Sequence, residues 1–229
     1  RRLERIRSVG RSDKRLADPN DQLADAQLGI SLFDCPAGLV LDDGPVGLRQ
    51  RIGGGRGQAL ARAAGFTKGR TPSVVDATAG LGRDSYLLAS LGAEVTLIER
   101  SPEIYALLED GLARAGATGG EAAETVARMT LLFGDSKVLL PELAPEVVLV
   151  DPMHPPRGKT ALVKKEMRLL RAIVGSDSDA GDLMREALAA ASKRVVLKYP
   201  LRASGMAKLV PPTHQIRGKT TRYDVFMIG

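Results

Sequence analysis

Cysteine is all but missing from this chain. Cys35 stands alone among 229 residues, which excludes an intramolecular disulfide and points to a reducing compartment, the cytoplasm. Histidine is nearly as scarce. His154 and His214 are the only two, no ligand spacing joins them to Cys35, and no metal is implied. No run approaches the ~18 apolar residues of a membrane span. No secretory pattern follows the opening Arg1-Arg2, and internal repeats and low-complexity stretches are absent. A chain of 229 residues can bury one sizeable α/β core with a small appendage.

Charge, by contrast, is plentiful and unevenly placed. The net is +6, yet residues 76–151 carry 13 acidic and 5 basic side chains. Residues 193–223 hold Lys193, Arg194, Lys198, Arg202, Lys208, Arg217, Lys219 and Arg222 with no acid. Residues 157–171 add Arg157, Lys159, Lys164, Lys165, Arg168 and Arg171 against Glu166 alone. Such separation builds a positive field over one side of a molecule and suits a polyanion. Any single Lys is best read as solvated, but basic residues grouped through the later half point to nucleic acid. Lys164, Arg168 and Arg171 share one face of an expected helix and would hold phosphates, which position a substrate without reading its sequence.

Residues 1–56 read as a small β-rich N-terminal extension. A basic opening is followed by apolar runs at 38–41 and 46–48, separated by Asp42-Asp43-Gly44-Pro45 as a hairpin requires. Gly53-Gly54-Gly55-Arg56-Gly57 is expected to be a hinge or a close-approach loop, and 58–64 a short helix ended by Gly65. The main domain, 57–229, alternates regularly. Strands are expected at 74–76, 95–99, 129–133, 147–150 and 194–199, with closing strands at 214–218 and 223–228. Helices are expected at 84–91, at 160–174 and at 180–191. Another starts at a Ser101 cap with Pro102 first, carries Ile104, Leu107, Leu108 and Leu112 as its apolar stripe, and stops at Gly116. Strand–helix alternation of this kind gives an α/β, Rossmann-like, largely parallel sheet with helices on both faces.

The densest signal runs from Val74 to Asp84: apolar strand, acid, glycine-rich turn, helix. Gly80-Leu81-Gly82-Arg83-Asp84-Ser85 has Ser85 where the third glycine of a dinucleotide turn belongs. Asp76, at the strand end, would repel a pyrophosphate. A ligand with a cationic or neutral middle fits better, and S-adenosylmethionine is one. Four successive strands finish in acids: Asp76, Glu99, Asp135 just past Gly134, and Asp151. One such acid is as often a helix cap as a ligand contact, but four in order exceed what capping explains. Glu99 lies 17 residues past Gly82, near the ~20-residue offset at which a carboxylate takes both ribose hydroxyls. Asp135-Ser136 reads equally as an adenine contact and as the N-cap of a short helix. In Asp151-Pro152-Met153-His154-Pro155-Pro156 the prolines end a buried strand sharply, leaving the Asp151 carboxylate and the Pro152 carbonyl as two acceptors for an exocyclic amine.

Asp76, Gly80-Leu81-Gly82, Glu99, Asp135 and Asp151-Pro152-Met153-His154 resemble the ordered motifs of class I S-adenosylmethionine-dependent methyltransferases. The last is a variant of the (Asp/Asn)-Pro-Pro-(Tyr/Phe) motif of amino-group methylating enzymes. Residues 53–57, 75–84, 99–100 and 151–167 more specifically resemble the bacterial 16S ribosomal RNA guanine-N2 methyltransferase family, a likeness covering roughly 50–228. The resemblance implies a seven-stranded sheet, S-adenosylmethionine as cofactor, and 16S ribosomal RNA or the small ribosomal subunit as partner. It also implies cofactor contacts from Arg83, Asp84, Glu99, Arg100, Asp135, Ser136 and Asp151. Where the family has an aromatic, this chain has His154, so stacking on the base would fall to an imidazole. The readings left beside it are an amino methyltransferase for adenine in DNA or for a small molecule, an NAD-dependent oxidoreductase, and a non-catalytic RNA-binding protein.

Overall fold

The computed structural model describes residues 54–152, 179–201 and 211–229. The expected hairpin at 38–48, the helix at 160–174 and the basic residues Arg202 and Lys208 lie outside them. Within the described residues one sheet holds β1 Val74–Asp76, β2 Val95–Glu99, β3 Met129–Phe133, β4 Val147–Val150, β5 Arg194–Pro200, β6 His214–Arg217 and β7 Thr221–Met227. Their order is β3-β2-β1-β4-β5-β7-β6. The first five run parallel, and β7 is antiparallel to both β5 and β6.

Near-continuous apolar strands are what a sheet buried on both faces demands, because successive side chains leave opposite faces. Val74, Leu97, Val147 and Leu149 pack one way, into a core with Leu60, Leu88, Ile104 and Leu108. Val75, Ile98, Val148 and Val150 pack the other way, against Leu140, Leu183 and Met184. The first face is covered by α1 Ala59–Ala64, α2 Arg83–Ser90 and α3 Pro102–Ala117, the second by α5 Ser136–Leu143 and α6 Ala180–Ala190; α4 Gly120–Val126 packs beside α2 and α3.

Local chemistry sets most of the boundaries. Ser101 caps α3 by accepting from the Ile104 N–H, with Pro102 in the first turn. Gly65 ends α1 at φ 93°. Gly116, however, does not stop α3, which runs on to Ala117. A glycine weakens a helix without ending it, and the break comes where the backbone turns left-handed, at Gly119 (φ 74°) and Gly120 (φ 60°). Of the stretch 53–57, expected as a hinge or a close-approach loop, residues 54–57 are described, and Gly55–Gly57 form a short 3-10 helix that is tied down. Arg56 donates to the Thr67 carbonyl (2.7 Å) and the Thr71 hydroxyl (2.6 Å), reaches the Leu91 carbonyl (3.4 Å), and lies over Phe66 at 5.6 Å. It staples this loop to the entry of β1.

Candidate active site

A cavity of about 470 Å³ opens at the carboxyl ends of β1, β2, β4 and β5, the crevice where open α/β sheets take their ligands. Gly80 (φ 52°) and Gly82 (φ 70°) carry the turn after β1 through left-handed backbone. A side chain at Gly82 would also stand 2.8 Å from Leu108 Cδ1. The turn is therefore packed against α3 as well as shaped for a ligand.

Asp76 does not present its charge freely. It is buried, with the Ser85 hydroxyl donating to Oδ2 (2.5 Å) and the Thr78 N–H to Oδ1 (3.1 Å). Burial is the largest influence on its carboxyl, with Asp84 and Asp151 adding to it, and the group is pushed up to about 7 despite both hydrogen bonds. Ser85, fully buried, occupies the third-glycine position because this acid needs a donor there.

Glu99 accepts from the Gly80 N–H (2.9 Å) and the Ser101 N–H (2.8 Å). Burial raises its carboxyl while these bonds oppose the rise. One acid thus ties the glycine turn to the start of α3. Asp135 caps α5 by accepting from the Lys137 N–H (2.9 Å), and the Ser136 hydroxyl donates to the Ala77 carbonyl (2.6 Å). The capping role read from the sequence is realised, and both residues also line the cavity. Arg100 is paired with Asp179 (2.9 Å), which also holds Lys137 (2.5 Å). Asp179 escaped the sequence reading because nothing near it in the chain marks it.

Asp151 lies just past β4. Its N–H donates to the Thr78 hydroxyl (2.7 Å), and Pro152 beside it is buried. Lys198 Nζ reaches Asp151 Oδ2 at 2.8 Å and Asp84 Oδ2 at 2.7 Å. Burial works against its charge, but the two carboxylates overcome that and hold the ammonium well above the usual lysine range. Its signal is a lysine set between Leu197 and Tyr199 in a strand that is apolar after Arg194.

This corrects the charge reading of 193–223. Lys198 is engaged inside the cavity. Arg222 is buried against Asp224 at 3.0 Å, over the Tyr199 ring at 5.0 Å. Arg194 donates to the Ala63 carbonyl (3.2 Å). Of that basic stretch, Lys193, Arg217 and Lys219 stand exposed. His154, Arg157, Lys159, Lys164, Lys165, Arg168 and Arg171 lie outside the described residues.

The donor set fits S-adenosylmethionine. Six carboxylates (Asp76, Asp84, Glu99, Asp135, Asp151, Asp179) face four basic side chains around the cavity. That surplus of acceptors and negative charge suits hydroxyls, amines and a sulfonium, and opposes a pyrophosphate. The sequence model of the SAM-dependent methyltransferase family SAM_MT matches residues 36–228. The ribosomal RNA small subunit methyltransferase J of Brucella anthropi is 68% identical over 82% of this chain and 93% of its own length. That of Agrobacterium fabrum is 69% identical over 81% and 89%. This chain belongs to that family of SAM-dependent methyltransferases. A crystal structure of a SAM-dependent methyltransferase from Neisseria gonorrhoeae is 37% identical, covering 75% of this chain and 71% of that one with a TM-score of 0.60. Membership makes the chain an enzyme with S-adenosylmethionine as its cofactor, and the oxidoreductase and non-catalytic readings fall. Among the described residues no helix is long and apolar enough to cross a membrane.

Proposed function

We propose that this protein methylates the exocyclic N2 amine of a guanine in 16S ribosomal RNA, as naked RNA or within the small subunit, in the cytoplasm. The observation that carries the reading is Asp151, whose carboxylate is tethered by Lys198 and whose backbone is tethered by Thr78, directly before a buried proline. A fixed acceptor at that place is what an amine needs to be turned toward a methyl donor. The names of the relatives, both ribosomal RNA small subunit methyltransferases, supply the substrate class.

S-adenosylmethionine would supply an electrophilic methyl on its sulfonium, the C–S electron pair remaining with sulfur and the amine giving up one proton as its nitrogen gains the methyl. The chain contributes alignment, the larger part of such a reaction. Glu99 would take the ribose hydroxyls and Asp135 the adenine amine, with Gly80, Gly82, Arg83, Asp84, Arg100 and Ser136 around them. Asp151 and the Pro152 carbonyl would hold the guanine amine and His154 would lie against the base, which must leave its helix to enter. Arg157, Lys159, Lys164, Lys165, Arg168 and Arg171 would grip the phosphates. Nucleoside mass spectrometry of 16S RNA and small subunits from cells lacking the gene, incubated with protein and labelled cofactor, tests this. N2-methylguanosine is expected; N6-methyladenosine, or no label on either substrate, defeats the reading.

A further inference from the structure

We propose that Lys198 is a positioning residue for methyl transfer, bridging Asp84 in the cofactor turn and Asp151 in the amine-orienting turn so that the two halves of the site keep one geometry. This rests on the reading of Asp151 given above.

Three elements that are far apart in sequence meet at one nitrogen. Asp84 stands in the first turn of α2, Asp151 beyond β4, and Lys198 within β5, and both contacts lie below 3 Å (2.7 and 2.8 Å). The ammonium is about one quarter exposed (23%), so water weakens these attractions less than at an open surface. Tyr223 stands directly opposite Lys198 on β7, and its phenol is itself an ionisable neighbour, raised by burial and by Asp84 and Asp151. Among the described residues Asp76, buried on β1, is a further ionisable group here, and Asp84 and Asp151 both act on it. Without Lys198, the cluster of Asp76, Asp84 and Asp151 would lose the ammonium that Asp84 and Asp151 share. One of them would take up a proton or swing away, and Asp151 is the most exposed of the three.

An ion pair that merely held the fold would be expected between helices or at the sheet's base. This one sits in the cavity wall, and its two acids both line the cavity, one in the turn assigned above to the cofactor and one in the turn assigned to the amine. A carboxylate held through one oxygen has its plane set, and the plane decides where an amine's hydrogens point. Displacement of a reacting group by about 1 Å costs on the order of 100-fold in rate.

The test compares wild type with Lys198→Met, Lys198→Arg and Lys198→Ala, following kcat on 16S RNA, S-adenosylmethionine affinity by calorimetry, and the pH–rate profile. For Lys198→Met, kcat falls about 100-fold with cofactor Kd changed less than about fivefold, the pattern of a lost transition-state arrangement. Its acidic limb moves about one pH unit or more upward, because a carboxylate loses its neighbouring cation. Ethylammonium added to Lys198→Ala restores at least about tenfold of the rate. Lys198→Arg keeps the charge with a longer, planar head, so its rate falls while its acidic limb stays put. It decides the matter if Lys198→Met does not fold. A Lys198→Met rate within threefold of wild type, an affinity loss matching the rate loss, or no ethylammonium rescue in a folded Lys198→Ala overturns the proposal. An inactive wild type overturns the functional reading itself; an active wild type beside an unimpaired variant overturns Lys198 alone.

Discussion

Asp76 and Ser85 show how one pair of residues sets both a motif and a pH response. The Asp76 carboxyl is raised to about 7 in the fold from an ordinary 3.8. An acid with a raised folded value contributes stability that is fully present below the unfolded value and is lost as pH climbs through the folded one. The window is therefore about pH 4 to 7, and a shift of this size corresponds to at most ~4 kcal/mol. Asp76→Asn removes the titration and keeps hydrogen bonding to Ser85, whose hydroxyl rotates to accept. Thermal melts from pH 5 to 8.5 should show wild type losing ground to the variant up to about pH 7 and holding level above it; parallel curves throughout would mean that Asp76 titrates elsewhere. Glu99 and Asp151 divide differently. Glu99→Ala should weaken cofactor binding by about 10- to 100-fold, the worth of hydrogen bonds to a charged group, whereas Asp151→Ala should abolish transfer and leave much of that affinity. Calorimetry beside single-turnover assays separates them. The acids at the strand ends were legible in the chain because strand ends point at the crevice. Ser85 was legible only as a missing glycine, since its reason is a contact nine residues back, across the turn.

Elements were legible where a local signal fixes them. The Ser101-Pro102 cap and the alternation of Val74/Val75 and Leu97/Ile98 between two cores are cases of this. They were less legible where the signal is shared. Gly116 and the Gly119-Gly120 pair look alike as stops, and only backbone conformation separates them. The short α4 follows immediately and packs beside α2 and α3. Gly82 is where the turn and α3 meet. Gly82→Ala sets an alanine at φ 70° with its methyl 2.8 Å from Leu108 Cδ1. It should cost ~2–3 kcal/mol, part conformational and part steric, seen as a drop of roughly 5–10 °C in Tm for a chain of this size. It should weaken cofactor binding too, and an unchanged Tm would show that the turn relaxes freely.

At the scale of the molecule, formal charge misled where it was engaged by internal partners. Arg194, Lys198 and Arg222 raise the sequence's basic count, yet each serves an internal contact. Sequence cannot tell a solvated cation from one with a partner 47 residues away, as Asp151 is from Lys198. The RNA attraction proposed above therefore has fewer basic residues to draw on than the count implies. Replacing Lys164, Arg168 and Arg171 together by Ala should lower the steepness of log K against log salt by about 2–3, given ~0.7–0.9 per phosphate contact. Filter binding to 16S RNA across a salt series measures it, and an unchanged slope would remove these side chains from the interface.

The placement of β7 has a consequence in time. It is the last of the described strands in chain order, yet it lies inside the sheet between β5 and β6. During synthesis the glycine turn, Glu99 and Asp151 emerge first, and Lys198 follows on a β5 whose outer edge is still unpaired. Tyr223 and the rest of β7 must then thread in beside it before either neighbouring strand is satisfied. A nascent chain of this enzyme thus carries the acids of its site before β7 closes the sheet beside Lys198.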